Sequence, residues 1–187
     1  NTIKKTYPKA EIIIVIGYQS YKFYQYKPKS NVKFIENELY EQSGPSRGTG
    51  LALNINNHNN ALIVHGDLLF NSAAINQLVL SDSTVLVDDT QQIKTSEIGL
   101  FVNDTYVLNF VYDTPNKWRQ IAFLNKQELS LLYKLTRIKE NYKLLTFEIL
   151  NKIINQGGRF KFIKPACLIR ELDVIQDLKD LNAHFSK

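Results

Sequence analysis

The residue best placed to do chemistry is Asp67, which follows the apolar run Ala61-Leu62-Ile63-Val64 after His65 and Gly66. An aspartate just beyond a buried parallel strand lies at the carboxyl edge of the sheet, where open α/β sheets bind ligands. A carboxylate there suits Mg²⁺ beside a polyphosphate, because Mg²⁺ takes one or two carboxylates plus phosphate oxygens. A turn or helix cap would use the same residue without a metal. Gly48-Thr49-Gly50 is a second candidate. Glycine lets the backbone approach a planar base or a phosphate, and a helix N-terminus favours anions. No lysine follows in the P-loop position, so alone this segment reads as a loop turn. Asp173 and Asp177 stand at the head of a final helix, as its cap and a first-turn acid.

Other groups carry less. Asp88-Asp89 is an adjacent acidic pair that begins a turn, and Cys167 reads as a small buried side chain. His58, His65 and His184 lack a ligand spacing. There is no G-x-S-x-G, H-E-x-x-H or cysteine cluster, so hydrolase and zinc readings lose support.

The elements that must position these residues alternate. EIIIVIG (11–17), NVKFIE (31–36), ALIV (61–64) and STVLV (83–87) read as strands separated by helical or loop stretches. Segment 18–26 reads as a short helix or loop, 44–50 as a turn-rich loop opening a helix over 51–56, and 71–80 as a helix capped by Asn71. This is the βαβ pattern of a mostly parallel sheet. Segments 98–102, 105–112 and 118–124 read as antiparallel strands, an insert over about 98–124. Helices follow over 126–137 and 144–156, then a strand at 159–163 and a helix over 173–185 with Ile175, Leu178 and Leu181 on one face. The fold expected is α/β, a three-layer sandwich with a mixed, mainly parallel sheet, in one domain over 1–187.

The chain has 187 residues, 44% of them hydrophobic, enough to bury a core and too many for a disordered reading. No apolar run reaches the ~18 residues of a membrane span. One cysteine precludes an internal disulfide and points to a reducing compartment, so a cytoplasmic location is expected. The charge of +5 has its densest basic stretch over 21–33, where tyrosines and lysines interleave. A solvated helix and loop accounts for it better than a nucleic-acid face. With no methionine anywhere, the first residue reads as a cut.

The order of these segments resembles the nucleotidyltransferases of GT-A-like fold, of the sugar-phosphate nucleotidyltransferase and phosphocholine cytidylyltransferase type. IIIVIGY (12–18) looks like the family's second strand, and NVKFIENELY (31–40) like the next strand and its asparagine turn. RGTGLAL (47–53) is similar to the Gly-Thr-Ala segment that contacts the base, and LIVHGDLLF (62–70) to the strand whose Gly-Asp binds metal. ELDVIQDL (171–178) resembles the closing motif whose first aspartate holds the same metal, with Val174-Ile175-Gln176 replacing Thr-Pro-Glu. The family's first strand and its glycine-rich, basic triphosphate loop have no counterpart here. That strand would lie in the middle of the sheet.

The resemblance implies attack of a substrate phosphate on the α-phosphorus of a nucleoside triphosphate, with pyrophosphate released. Asp67 and Asp173 would hold Mg²⁺, Gly48 and Thr49 would place the base, and Trp118 would wall the site of a phosphorylated small-molecule acceptor. An acceptor carrying choline would find aromatic faces for its cation. Without the triphosphate loop, the chain as given is expected to turn over poorly. The alternatives are a non-catalytic nucleotide- or protein-binding domain of the same fold, and a GT-A glycosyltransferase.

Overall fold

The computed structural model describes residues 2–25, 32–55, 58–88, 96–167, 169–174, 176–177 and 179. In chain order these form α1 (Thr2–Thr6), β1 (Ile12–Ile16), α2 (Ser20–Gln25), β2 (Val32–Glu36), α3 (Pro45–Leu53), β3 (Ala61–Val64), β4 (Leu68–Phe70), α4 (Ser72–Asn76) and β5 (Thr84–Asp88). They continue with β6 (Ile98–Val102), β7 (Val107–Tyr112), β8 (Lys117–Leu124), α5 (Lys126–Thr136), α6 (Thr146–Asn155), β9 (Lys161–Ile163) and β10 (Ile169–Glu171).

The fold is α/β with a mixed sheet. β8 is its hub. It pairs antiparallel with β3 and with β5, and β9 adds parallel to β5, so β3, β5 and β9 run in one direction. The β6–β7 hairpin joins at the start of β8 through Gly99 and Lys117. The sequence assigns β8 to an insert; in the structure its eight residues, seven of them buried, hold the central sheet together. Its alternation explains why. Trp118, Ala122 and Leu124 face a core built with Leu129, Leu132, Ile149 and Ile153 of α5 and α6. Ile121 and Phe123 face the opposite layer with Ala74 and Ile75 of α4. Successive side chains on a strand point to opposite faces, so one strand seeds both cores.

β1 and β2 pair in parallel as a separate two-stranded sheet. A third, antiparallel pair joins β4 to β10. Neither β4 nor β10 is evident in the sequence, because three residues carry too little periodicity to read.

Two helix boundaries differ from expectation. α3 starts at Pro45 with Gly44 as N-cap, so residues 45–50 are helical rather than loop. Proline at the first helical position sacrifices no hydrogen bond and presets φ, which outweighs Gly48 and Gly50 within the helix. α4 is confined to Ser72–Asn76; Asn71 caps it as expected, its Oδ1 accepting from the Ala73 N–H at 3.0 Å. Asp89, Ile175, Leu178 and Leu181 lie outside the described residues, and with them most of the expected final helix.

Candidate functional site

The β4–β10 ladder does the positioning. Glu171 lies opposite Leu68, and the Leu172 N–H donates to the Asp67 carbonyl at 2.9 Å. One step further, this register sets Asp173 beside Gly66 and Asp67. Two aspartates more than a hundred positions apart thus reach one edge of the molecule, both exposed. The Asp177 carboxylate accepts from the N–H groups of Asp173 and Val174 at 2.8 and 2.9 Å. Asp177 thus ties down the turn that carries Asp173.

Two carboxylates are what Mg²⁺ takes from protein when phosphate oxygens supply the rest. Among the described residues, no three or more His, Cys, Asp or Glu side chains gather as an all-protein metal cage. The ladder sets the backbones of the two aspartates side by side, and their side chains line different cavities, Asp173 the smaller and Asp67 the larger.

Asp173 lines a cavity of about 360 Å³ with His65, Tyr112, Lys117, Trp118, Phe147 and Glu171. Its charges are Glu97, Glu171 and Asp173 against one base, Lys117. The Lys117 ammonium lies 2.5 Å from Glu97 and 3.3 Å from Glu171. Burial works against its charge, and the two carboxylates outweigh that, holding its pKa above the ordinary lysine value. Glu97, Lys117 and Gln120 do not stand out in the sequence. Gln120 sits with φ of 55° where the β5–β8 register shifts, a sparsely populated backbone geometry for a residue with a side chain.

Trp118 is buried. Its ring meets Phe110 and His65 edge-on at 5.2 and 5.6 Å, and its indole N–H donates to the Ile121 carbonyl at 3.3 Å. It is a core residue with one flank on the cavity. His65 is held between this ring and Thr146, the first residue of α6, with Nε2 and Oγ1 2.9 Å apart. Burial pushes its imidazole below the ordinary histidine value, partly opposed by the Asp67 carboxylate.

Gly48 and Thr49 line a second, larger cavity that also reaches His65 and Asp67. Gly48 is buried against β1: a Cβ there would sit 3.2 Å from a Val15 methyl. Gly50 meets α5 more closely still, a Cβ falling 2.9 Å from that of Thr136. Both glycines thus have a packing role in α3. The Thr49 hydroxyl donates to the Pro45 carbonyl at 3.0 Å. Arg47 is held away from phosphate duty, its Nε donating to Asn37 at 3.1 Å and its guanidinium lying over the Tyr142 ring. Asp88 pairs with Arg119, and Cys167 is half-buried with its thiol pKa raised by burial.

No family model and no curated protein sequence matches the chain. Solved structures do. The inositol-1-phosphate CTP transferase from T. maritima superposes with a TM-score of 0.73 at 15% identity, over 93% of this chain and 74% of that one. The CTP:phosphocholine cytidylyltransferase from Streptococcus pneumoniae gives 0.71 at 18% identity, over 98% and 82%. A putative glucose-1-phosphate thymidylyltransferase from Bacillus anthracis gives 0.75 at 11% identity, over 98% and 78%. At such identities the likeness is one of architecture, and the chain has the fold of the sugar-phosphate and cytidylyl nucleotidyltransferases.

Proposed function

We infer that this chain transfers a nucleotide from a nucleoside triphosphate to a phosphorylated small molecule, releasing pyrophosphate. The observation that supports the reading is the β4–β10 ladder, whose register runs the backbones of Asp67 and Asp173 side by side, Asp173 lining one cavity and Asp67 the other. An oxygen of the acceptor phosphate attacks the α-phosphorus, and the bond to the β-phosphate bridging oxygen breaks. A phosphate dianion is already nucleophilic, so no side chain need serve as base. Asp67 and Asp173 would hold Mg²⁺, which supplies neutralisation of the charge that develops on the phosphates. The larger cavity, with Gly48 and Thr49 on its wall, takes the nucleotide. The smaller one takes the acceptor beside Trp118, Tyr112 and Phe147. Three carboxylates against one lysine favour an acceptor with a cationic end, which aromatic faces would also hold.

Among the described residues, Lys9 and Lys117 are the basic side chains lining the two cavities, and Lys117 is already paired. So few described cations to offset phosphate charge favour a second reading, a nucleotide-binding domain without catalysis. Titration of each nucleoside triphosphate with and without Mg²⁺ tests the first reading. So does pyrophosphate release with phosphocholine or sugar 1-phosphates as acceptors. The expected result is metal-dependent binding of one nucleotide, weakened at least ~10-fold in Asp67→Asn and in Asp173→Asn, with release that needs an acceptor. Binding without release would favour the second reading. Binding indifferent to metal and to both substitutions would overturn the site.

A further inference from the structure

The two cavities meet. Pro45, His65 and Thr146 line both, whereas Glu97, Glu171 and Asp173 line the smaller alone and Asp67 the larger alone. An acceptor in one cavity and a nucleotide in the other must react across these shared residues, because an attacking oxygen has to come within ~3–3.5 Å of the phosphorus. The junction is firmly built. The Gly44 N–H donates to the Tyr142 carbonyl at 2.7 Å and the Ser46 N–H to the Leu144 carbonyl at 3.2 Å, tying the start of α3 to the segment that enters α6. A Cβ on Gly44 would fall 2.6 Å from the Lys143 carbonyl oxygen, so glycine is what lets the two approach. Thr146, the first residue of α6, is 4% exposed. Its hydroxyl is not spent on capping the helix, since the Leu145 N–H donates to the Glu148 carboxylate at 2.7 Å. Thr146 Oγ1 lies instead 2.9 Å from His65 Nε2. The His65 ring is braced in turn by the edge-on contact with Trp118 and by a hydrogen bond with the Gln120 side chain.

We propose that the Thr146 hydroxyl binds the phosphate of the acceptor at this junction, and that His65 is the positioning residue that aims it. The inference rests on the transfer reading for the placing of the two substrates. A hydroxyl has one proton to give and two lone pairs. With His65 Nε2–H donating to Oγ1, the hydroxyl proton is left to donate to a phosphate oxygen, and two hydrogen bonds in series strengthen each other. The start of a helix also suits an anion. The acceptor is thereby oriented: its phosphate end lies at the junction, facing the nucleotide, and its other end points toward Glu97 and Glu171.

The test is calorimetric titration of the 187-residue chain, with Mg²⁺ present, by phosphocholine and choline and by glucose 1-phosphate and glucose. Each pair differs only in the phosphate. The phosphorylated member of at least one pair should bind, and Thr146→Val should weaken it at least ~10-fold while leaving its dephosphorylated counterpart unchanged. Thr146→Ser, which keeps the hydroxyl, should restore binding. His65→Leu should weaken the same compound, His65→Gln should recover most of that loss through its amide N–H, and His65→Leu added to Thr146→Val should cost nothing further. Undiminished binding in Thr146→Val, equal loss for both members of a pair, additive losses at the two positions, or no binding of either phosphorylated compound would overturn the inference. Pyrophosphate release separates the two readings. Binding as expected without release would keep the phosphate site and remove the transfer reading; release that Thr146→Val leaves untouched would keep the transfer reading and remove the phosphate site.

Discussion

β1 and β5 are five-residue strands with apolar centres, Ile-Ile-Ile-Val-Ile and Thr-Val-Leu-Val-Asp, and they lie in different environments. β5 lies between β8 and β9, and its first four residues are fully buried. β1 has one neighbour; Ile16 alone is buried and Ile14 is 37% exposed. The apolar run says that a strand wants two neighbours and two covered faces. Whether it has them depends on residues far away in the chain. The molecule is thus stiff and dry around β5 and β8, and open around β1 and β3, where the candidate nucleotide cavity lies.

The contrast can be broken most severely from the dry side. Phe160→Ala, at a fully buried site, should cost about 3–5 kcal/mol in denaturant unfolding, whereas Ile14→Ala should cost less than about 1 kcal/mol. Similar losses at the two would erase the distinction. Lys117→Met comes next, leaving Glu97 and Glu171 near each other without their cation; a loss of roughly 3 kcal/mol is expected, partly recovered by adding Glu97→Gln. Amides of β1 should exchange at least ~100-fold faster than those of β5. His65 supplies the smallest effect. Its folded pKa is depressed by burial, so the unfolded chain takes up the proton first. Stability present above the ordinary value of 6.5 should fall as pH drops through it, and His65→Asn should flatten that slope.

Much of this architecture is legible in the sequence because long apolar runs and polar caps act locally. The strands at 12–16, 61–64 and 84–88, the Asn71 cap and both later helices follow from such signals. The centrality of β8 is not legible: Lys117-Trp118-Arg119-Gln120 breaks the apolar pattern, and only pairing with β3 and β5 shows its place. The same holds for the site. Asp67 stands out by following a strand, but the placing of its backbone beside that of Asp173 depends on two three-residue strands. Lys117 and Glu97 stand twenty positions apart with no motif to join them. Gly48→Val would probe the proposed base site. Its methyls would press on Val15, so an unfolding curve must accompany any binding loss.

The central claim is that Asp67 and Asp173 serve one metal. Mn²⁺, a paramagnetic stand-in for Mg²⁺, can be titrated in the presence of nucleoside triphosphate against the parent chain, Asp67→Asn, Asp173→Asn and the double variant. Each single change should weaken the ternary signal at least ~10-fold, and the double change should lose less than the two losses combined, because both act on the same ion. Undiminished binding in either single variant, or losses that simply add, would contradict a shared site.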